Sequence, residues 1–148
     1  MIREVHDVQL ELGKRADYAI RVILDLARHA EQRKSREIAE EMDIPRSYLP
    51  QILAMLVDAG LVVSRAGPAG GYRLAGSPAT ISLLTVVEAA EGPLRSTECV
   101  LRGGACRWNG TCVVHTPWTE AQEALRERLA GTNFAELAAL RTTAEVTA

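Results

Sequence analysis

Three cysteines and a histidine stand together in the late stretch CVLRGGACRWNGTCVVH, at Cys99, Cys106, Cys112 and His115. They are all the cysteines of the chain. Six residues separate the first pair and five the second, and two lie between Cys112 and His115. Gly103-Gly104 and Asn109-Gly110 fall between the sulfurs, so the stretch reads as a loop that folds back on itself. Thiolates gathered on one such loop are the donor set of an iron–sulfur cluster or a zinc ion. Buried structural cysteines would be scattered over core positions of helices and strands. Three within fourteen residues of a Gly-rich loop are not. The C-x-x-H spacing lets Cys112 and His115 reach the same metal, which makes His115 a candidate fourth ligand.

The rest of the chain has to position that loop. At 148 residues, with 47% apolar and 24% charged residues, it has the composition of an ordinary globular protein. No apolar run has the ~18 residues of a membrane span, and MIREVHDVQLEL is too polar for a secretory signal. A cytoplasmic location is expected, where three thiols stay reduced and available to a metal. Net charge is −2, but its distribution is uneven. Residues 12–78 carry ten Lys/Arg against eight Asp/Glu, and the remainder seven against eleven. A locally basic half permits DNA binding, because affinity follows local cations more than the global sum.

From Lys14 a helical period sets in. Ala19, Ile20, Ile23, Leu24 and Ala27 form one stripe, and Tyr18, Val22 and Leu26 a second. A helix apolar on two sides is expected to lie between its own domain and a partner helix. Ser35 is expected to cap a short helix over Arg36–Met42. Asp43-Ile44-Pro45 breaks it, and a second helix runs from about Arg46 to Ala59 with Leu49, Ile52, Leu53, Leu56 and Val57 inward. Pro50 is tolerable only near that helix's start, and Gly60 ends it. Short helix, break, longer helix is the helix-turn-helix layout. Its second helix presents Arg46, Ser47, Tyr48 and Gln51, groups suited to phosphates and base edges.

Two strands follow, Leu61–Ser64 and Tyr72–Ala75, joined by RAGPAGG. A hairpin in this position is a wing, with Arg65 at its shoulder and glycines, among them Gly70 and Gly71, that allow close approach to a phosphate or groove. Ser82 caps a helix over Leu83–Glu91, which Gly92-Pro93 stops. After the cysteine loop, Pro117–Ala130 reads as a helix with Trp118, Ala121, Leu125 and Leu129 on one face, suited to packing across a dimer. A short helix with Phe134, Leu137 and Leu140 inward closes the chain. The fold class is therefore mainly α with a small β-hairpin wing: a winged helix-turn-helix over 12–78, a linker helix over 79–93, the cysteine loop over 94–115, and a long dimerisation helix plus C-terminal helix over 116–141.

The helix motif RADYAIR, the second-helix stretch SYLPQIL, the wing RAGPAGGYRL and the late cysteine loop together resemble the IscR/NsrR/RirA family of bacterial winged-helix regulators, over residues 12–140. The resemblance implies a homodimer that binds a double-stranded DNA operator as a repressor, with affinity controlled by an iron–sulfur cluster (2Fe–2S or 4Fe–4S). It places Ser47, Tyr48 and Gln51 on the recognition helix and Arg65 with Gly67–Gly71 on the wing. His115 matches the IscR ligand pattern, while Asp17 in RADYAIR matches an aspartate that NsrR-type members contribute from the other subunit. Three features depart from the family: the six-residue first cysteine spacing, Ala66 between the wing arginine and Gly67, and Pro50 where IscR carries glutamate. Two rival readings keep the same residues, namely a structural zinc on Cys99, Cys106, Cys112 and His115, and a cluster-free thiol sensor. An enzyme is not expected, since no nucleophile–base pair, phosphate-binding loop or acidic pair stands out.

Overall fold

Helix α1 (Lys14–Arg28) is the element around which the others pack. In the computed structural model, which describes residues 11–94, 101 and 112–140, it buries Ala16, Ala19, Val22, Ile23 and Leu26. Around it lie α2 (Ser35–Glu41), α3 (Leu49–Asp58), the antiparallel strands β1 (Val62–Arg65) and β2 (Gly71–Leu74), α4 (Leu83–Glu91) and α6 (Phe134–Ala139). Both stripes of α1 meet the core of their own chain. Ala19 and Ile23 of the first and Val22 and Leu26 of the second are buried, while Ile20, Leu24, Ala27 and Tyr18 pack half-buried against it.

Prolines and pinned backbone explain where helix boundaries depart from the sequence reading. Pro50 has no N–H to give the Arg46 carbonyl, so residues 46–48 form a turn and the regular ladder starts at Leu49. The amides of Tyr48 and Leu49 both reach the Pro45 carbonyl, at 3.0 and 3.3 Å. Helix α2 is capped at Lys34 rather than Ser35. Arg33 is bridged to Tyr72 in extended conformation, and the Glu37 carboxylate accepts the Lys34 N–H at 2.7 Å. The break between α2 and α3 centres on Asp43, which holds a left-handed φ of 52°, a conformation Asp tolerates better than most residues.

Helix α4 starts at its expected cap, with the Thr85 amide on Ser82 Oγ at 3.1 Å, and adds Val86 and Ala90 to the core built on α1. Its last residue reaches α1 directly: Glu91 Oε1 accepts the Ala16 N–H at 3.2 Å and so caps the first turn of α1. Helix α5 (His115–Ala130) begins two residues before Pro117, whose missing N–H falls among amides that have no intrahelical partner. None of its residues is buried; it touches α4, where Arg126 pairs with Glu88 at 2.7 Å. The chain then returns to the core. The Phe134 amide bonds the Ile81 carbonyl at 3.0 Å and its ring is fully buried, while Leu140, expected inward, is 64% exposed at the end of α6.

Truncating a buried Phe to Ala removes transfer free energy and leaves a cavity. Phe134→Ala is expected to cost about 3–5 kcal/mol, seen as a lower urea midpoint with the slope unchanged.

Candidate nucleic-acid interface

Two carboxylate–guanidinium forks on α1 hold the elements that bear the candidate DNA contacts. In the first, Asp17 Oδ1 and Oδ2 accept from Arg21 Nε and NH2 at 3.0 and 3.1 Å. The same Arg21 donates through NH1 to the carbonyls of Met42 and Asp43, at 3.1 and 3.3 Å, and so grips the turn of the helix-turn-helix. In the second, Asp25 accepts from Arg33 Nε and NH2 at 3.0 and 3.1 Å. Asp25 is fully buried, and its hydrogen bonds to Arg33, followed by its negative charge, raise the Arg33 pKa above the ordinary arginine value against the opposing effect of burial. A raised cationic pKa contributes stability that is present at lower pH and is lost only as pH climbs through it. The Arg33 guanidinium therefore stays charged throughout neutral and mildly alkaline solution.

Arg33 joins that buried charge to the hairpin. Its amide and carbonyl pair with Tyr72 at 2.9 and 2.8 Å. Lys34 adds a tie at the hairpin tip, donating from Nζ to the Gly67 and Pro68 carbonyls at 3.3 and 2.9 Å. Gly71 makes the approach possible. It sits at φ 144°, and a Cβ there would lie 2.6 Å from the Arg33 carbonyl oxygen. Gly70 is buried in the tip turn, where a Cβ would overlap the Arg65 carbonyl.

Arg46, Ser47, Tyr48 and Gln51 are all exposed and follow one another over the first turns at α3. Arg46 NH2 lies 3.3 Å from Glu40, a pair open to solvent on both sides. Tyr48 leans on Tyr18 of α1 with ring centroids 5.5 Å apart, which orients it from behind. Leu49, Ile52, Leu53 and Leu56 are buried on the opposite side of α3, so Gln51 is left facing out. Arg65 is exposed on β1. Sequence reasoning missed Arg21, Asp25, Arg33 and Lys34. Asp25 had a signal, a lone charge set among the apolar residues of α1.

Of the candidate metal ligands, Cys99 and Cys106 lie outside the described residues. Cys112 is half-buried, and its carbonyl accepts the His115 amide at 3.3 Å, which puts the two residues one turn apart at the head of α5. His115 is exposed. A thiol and an imidazole one turn apart, with two further cysteines earlier in the sequence, are a donor set chemically suited to an iron–sulfur or zinc centre. Among the described residues no three His, Cys, Asp or Glu side chains gather at one point.

Residues 12–140 match the model of Rrf2, described as an iron-dependent transcriptional regulator. The chain belongs to the Rrf2 family. It is 34% identical over 130 residues to the HTH-type transcriptional regulator IscR of Vibrio vulnificus, covering 86% of this chain and 77% of that one. The IscR of Vibrio cholerae is similar to the same degree, with 75% of its length covered. Among solved structures, CymR, the global cysteine regulator of B. subtilis, superposes with a TM-score of 0.75 at 26% identity, over 88% of this chain and 97% of that one. The IscR of T. potens gives 0.71 at 25% identity, over 93% and 96%. This Rrf2 chain is accordingly a winged-helix, DNA-binding transcriptional regulator and not an enzyme. No helix among its described residues is long and apolar enough to cross a membrane.

Holding the hairpin against Arg33 is a steric requirement at Gly71. Gly71→Ala is expected to cost about 1–3 kcal/mol through backbone strain and to open the Arg33–Tyr72 pairing. Faster hydrogen exchange at the Tyr72 amide, with α4 amides unchanged, would register it.

Proposed function

We propose that the chain is a homodimeric, cytoplasmic repressor whose affinity for a double-stranded DNA operator is set by an iron–sulfur cluster on the loop before α5. The observation that carries the DNA half is geometric. One helix, α1, braces both the turn before α3 and the hairpin, while Ser47, Tyr48, Gln51 and Arg65 are left exposed. Such an arrangement suits α3 to the major groove and the hairpin to the adjoining backbone or minor groove. Gln51→Ala is expected to reduce discrimination between operator and mutated operator by about 1–3 kcal/mol. Arg65→Ala is expected to weaken binding to all DNA alike and lower the salt slope by about 0.9. Equal effects of both variants on operator and random duplexes would remove base reading from Gln51.

The metal half rests on Cys112 and His115 at the head of α5, and on Cys99 and Cys106 shortly before them in the sequence. When bound, a cluster on these residues supplies an iron- and oxidation-sensitive tie among the thiolates. His115 is the first residue of α5, so any constraint on its side chain acts where that helix begins. Helix α5 bears on α4 through Arg126–Glu88, and α4 bears on α1 through Glu91. In a dimer of this type the two recognition helices must be spaced by one DNA turn, ~34 Å. A change of a few ångströms along this route alters affinity.

Dimerisation is assigned to α5, which buries nothing of its own and leaves Trp118 at 37% and Leu125 at 45% exposure. Covering the part of each such side chain that is still exposed contributes about 1 kcal/mol. Leu125→Asp should yield monomers by light scattering, and a monomeric wild-type chain at micromolar concentration would refute the assignment.

For the fourth ligand, His115 is favoured over Asp17. Both Asp17 oxygens are held by Arg21, so ligation there would release Arg21 from its partner. His115 is exposed one turn from Cys112, and local spacing costs less ordering entropy than a reach between subunits. His115→Ala should shift the visible spectrum or speed cluster loss, with Asp17→Ala nearly silent. The opposite result transfers the ligand role to Asp17, and a colourless preparation containing zinc would replace the cluster by a structural site.

A further inference from the structure

An open hollow of about 470 Å³ lies between the start of α2 and the hairpin. Lys34, Ser35 and Arg36 line one side, and Arg65, Gly67 and Tyr72 the other. It meets a smaller hollow of about 150 Å³ that shares Ser35 and Arg36 and extends to Arg46, Leu49 and Pro50 at the head of α3. A continuous track therefore runs from the hairpin to the recognition helix, with Arg36 at the junction. Four cationic side chains line it and no carboxylate does.

The nearby acids are occupied elsewhere. Glu37 turns back to the Lys34 amide at 2.7 Å and faces Arg33 at 3.8 Å. Glu40, four residues after Arg36 and its natural helical partner, pairs with Arg46 at 3.3 Å instead. The side chains of Arg36 and Arg65 make no hydrogen bond or ion pair among the described residues. Lys34 spends two contacts on the Gly67 and Pro68 carbonyls, which fixes the far wall, and an ammonium has three N–H groups to give.

We propose that this hollow seats a phosphate of the DNA backbone beside the groove that α3 enters, with Arg36 as its principal contact and Lys34 and Arg65 as flanking charges. The inference rests on the DNA-binding reading above and adds a backbone contact from α2. Its lining offers guanidinium and ammonium donors and the Ser35 hydroxyl, which suit a phosphodiester and carry no means of telling one base from another. All of the charged groups are solvent-exposed, so a small free anion would gain little here against its own hydration. A phosphate already held in place by a docked duplex does not bear that cost alone.

The test uses the full chain and two short duplexes, one selected from a random library by the wild-type protein and one scrambled. Arg36→Ala should weaken both roughly tenfold and lower the salt slope by about 0.9, with Arg36→Lys recovering most of the slope. An unchanged melting temperature would separate this from misfolding. A duplex in which the facing phosphate is replaced by a neutral methylphosphonate should bind wild type and Arg36→Ala equally. If wild type binds the selected duplex but Arg36→Ala keeps its affinity and slope, the phosphate seat is wrong while the DNA-binding reading stands. If wild type selects no duplex, both fall. Inorganic phosphate and chloride at matched ionic strength should compete equally. A stabilisation by phosphate that Arg36→Ala removes, with DNA affinity unmoved, would reassign the hollow to a small anion.

Discussion

A fully buried carboxylate is costly unless it is paired, and in this molecule Asp25 is hydrogen-bonded through both oxygens by Arg33, with His29 Nε2 3.8 Å from its Oδ1. Removing one partner of such a pair costs about 3–5 kcal/mol, because the other charge is left buried and alone. What the pair contributes beyond stability is position. Arg33 brings the buried charge and the backbone pairing with Tyr72 together at one residue, so the hairpin is held in register with α1 by a contact that has few alternatives. A well-packed apolar pair would stabilise α1 equally well but would not specify where the hairpin lies.

The Asp17–Arg21 fork plays the corresponding part at the other DNA element, on weaker terms. Its side chains are 47% and 36% exposed, and a solvent-exposed helical pair contributes only about 0.3–0.5 kcal/mol. Its importance lies in the two carbonyls that Arg21 holds in the α2–α3 break. One helix thus sets the relative placement of the recognition helix and the wing, with a firm contact at the wing and a soft one at the turn. The soft contact contains Asp17, the residue that the family resemblance offers as an alternative metal ligand.

Much of this was legible in the sequence where apolar periodicity was long and helix ends were marked. The helix pair, the hairpin, the Ser82 cap and the Gly60 stop follow from such signals, and so does membership of a winged-helix regulator family. Boundaries slipped where proline acted at a distance. Pro50 delays the ladder of α3 to Leu49, and Pro117 is accommodated inside α5 because early amides have no partner to lose. The Asp25–Arg33 pair was visible only as an anomaly on α1, since its partner lies eight residues on, past the helix end. The basic track at Lys34 and Arg36 was not legible at all. QRKSRE reads as an ordinary solvated helix start, and only the folding of the hairpin against it gathers those cations with Arg65. The proposed dimer face of α5 and the proposed metal ligands stand on residue type and spacing.

Coupling between the cysteine loop and DNA is the claim on which the functional reading turns. The most direct measurement is the affinity of one anaerobic preparation for one duplex, before and after iron is removed by chelation under reducing conditions. Expected is a visible absorbance that disappears with the iron, together with a change in affinity of about tenfold or more, the size of an ordinary allosteric coupling. A preparation that shows no visible absorbance, binds the duplex, and keeps the same affinity after chelation would contradict it.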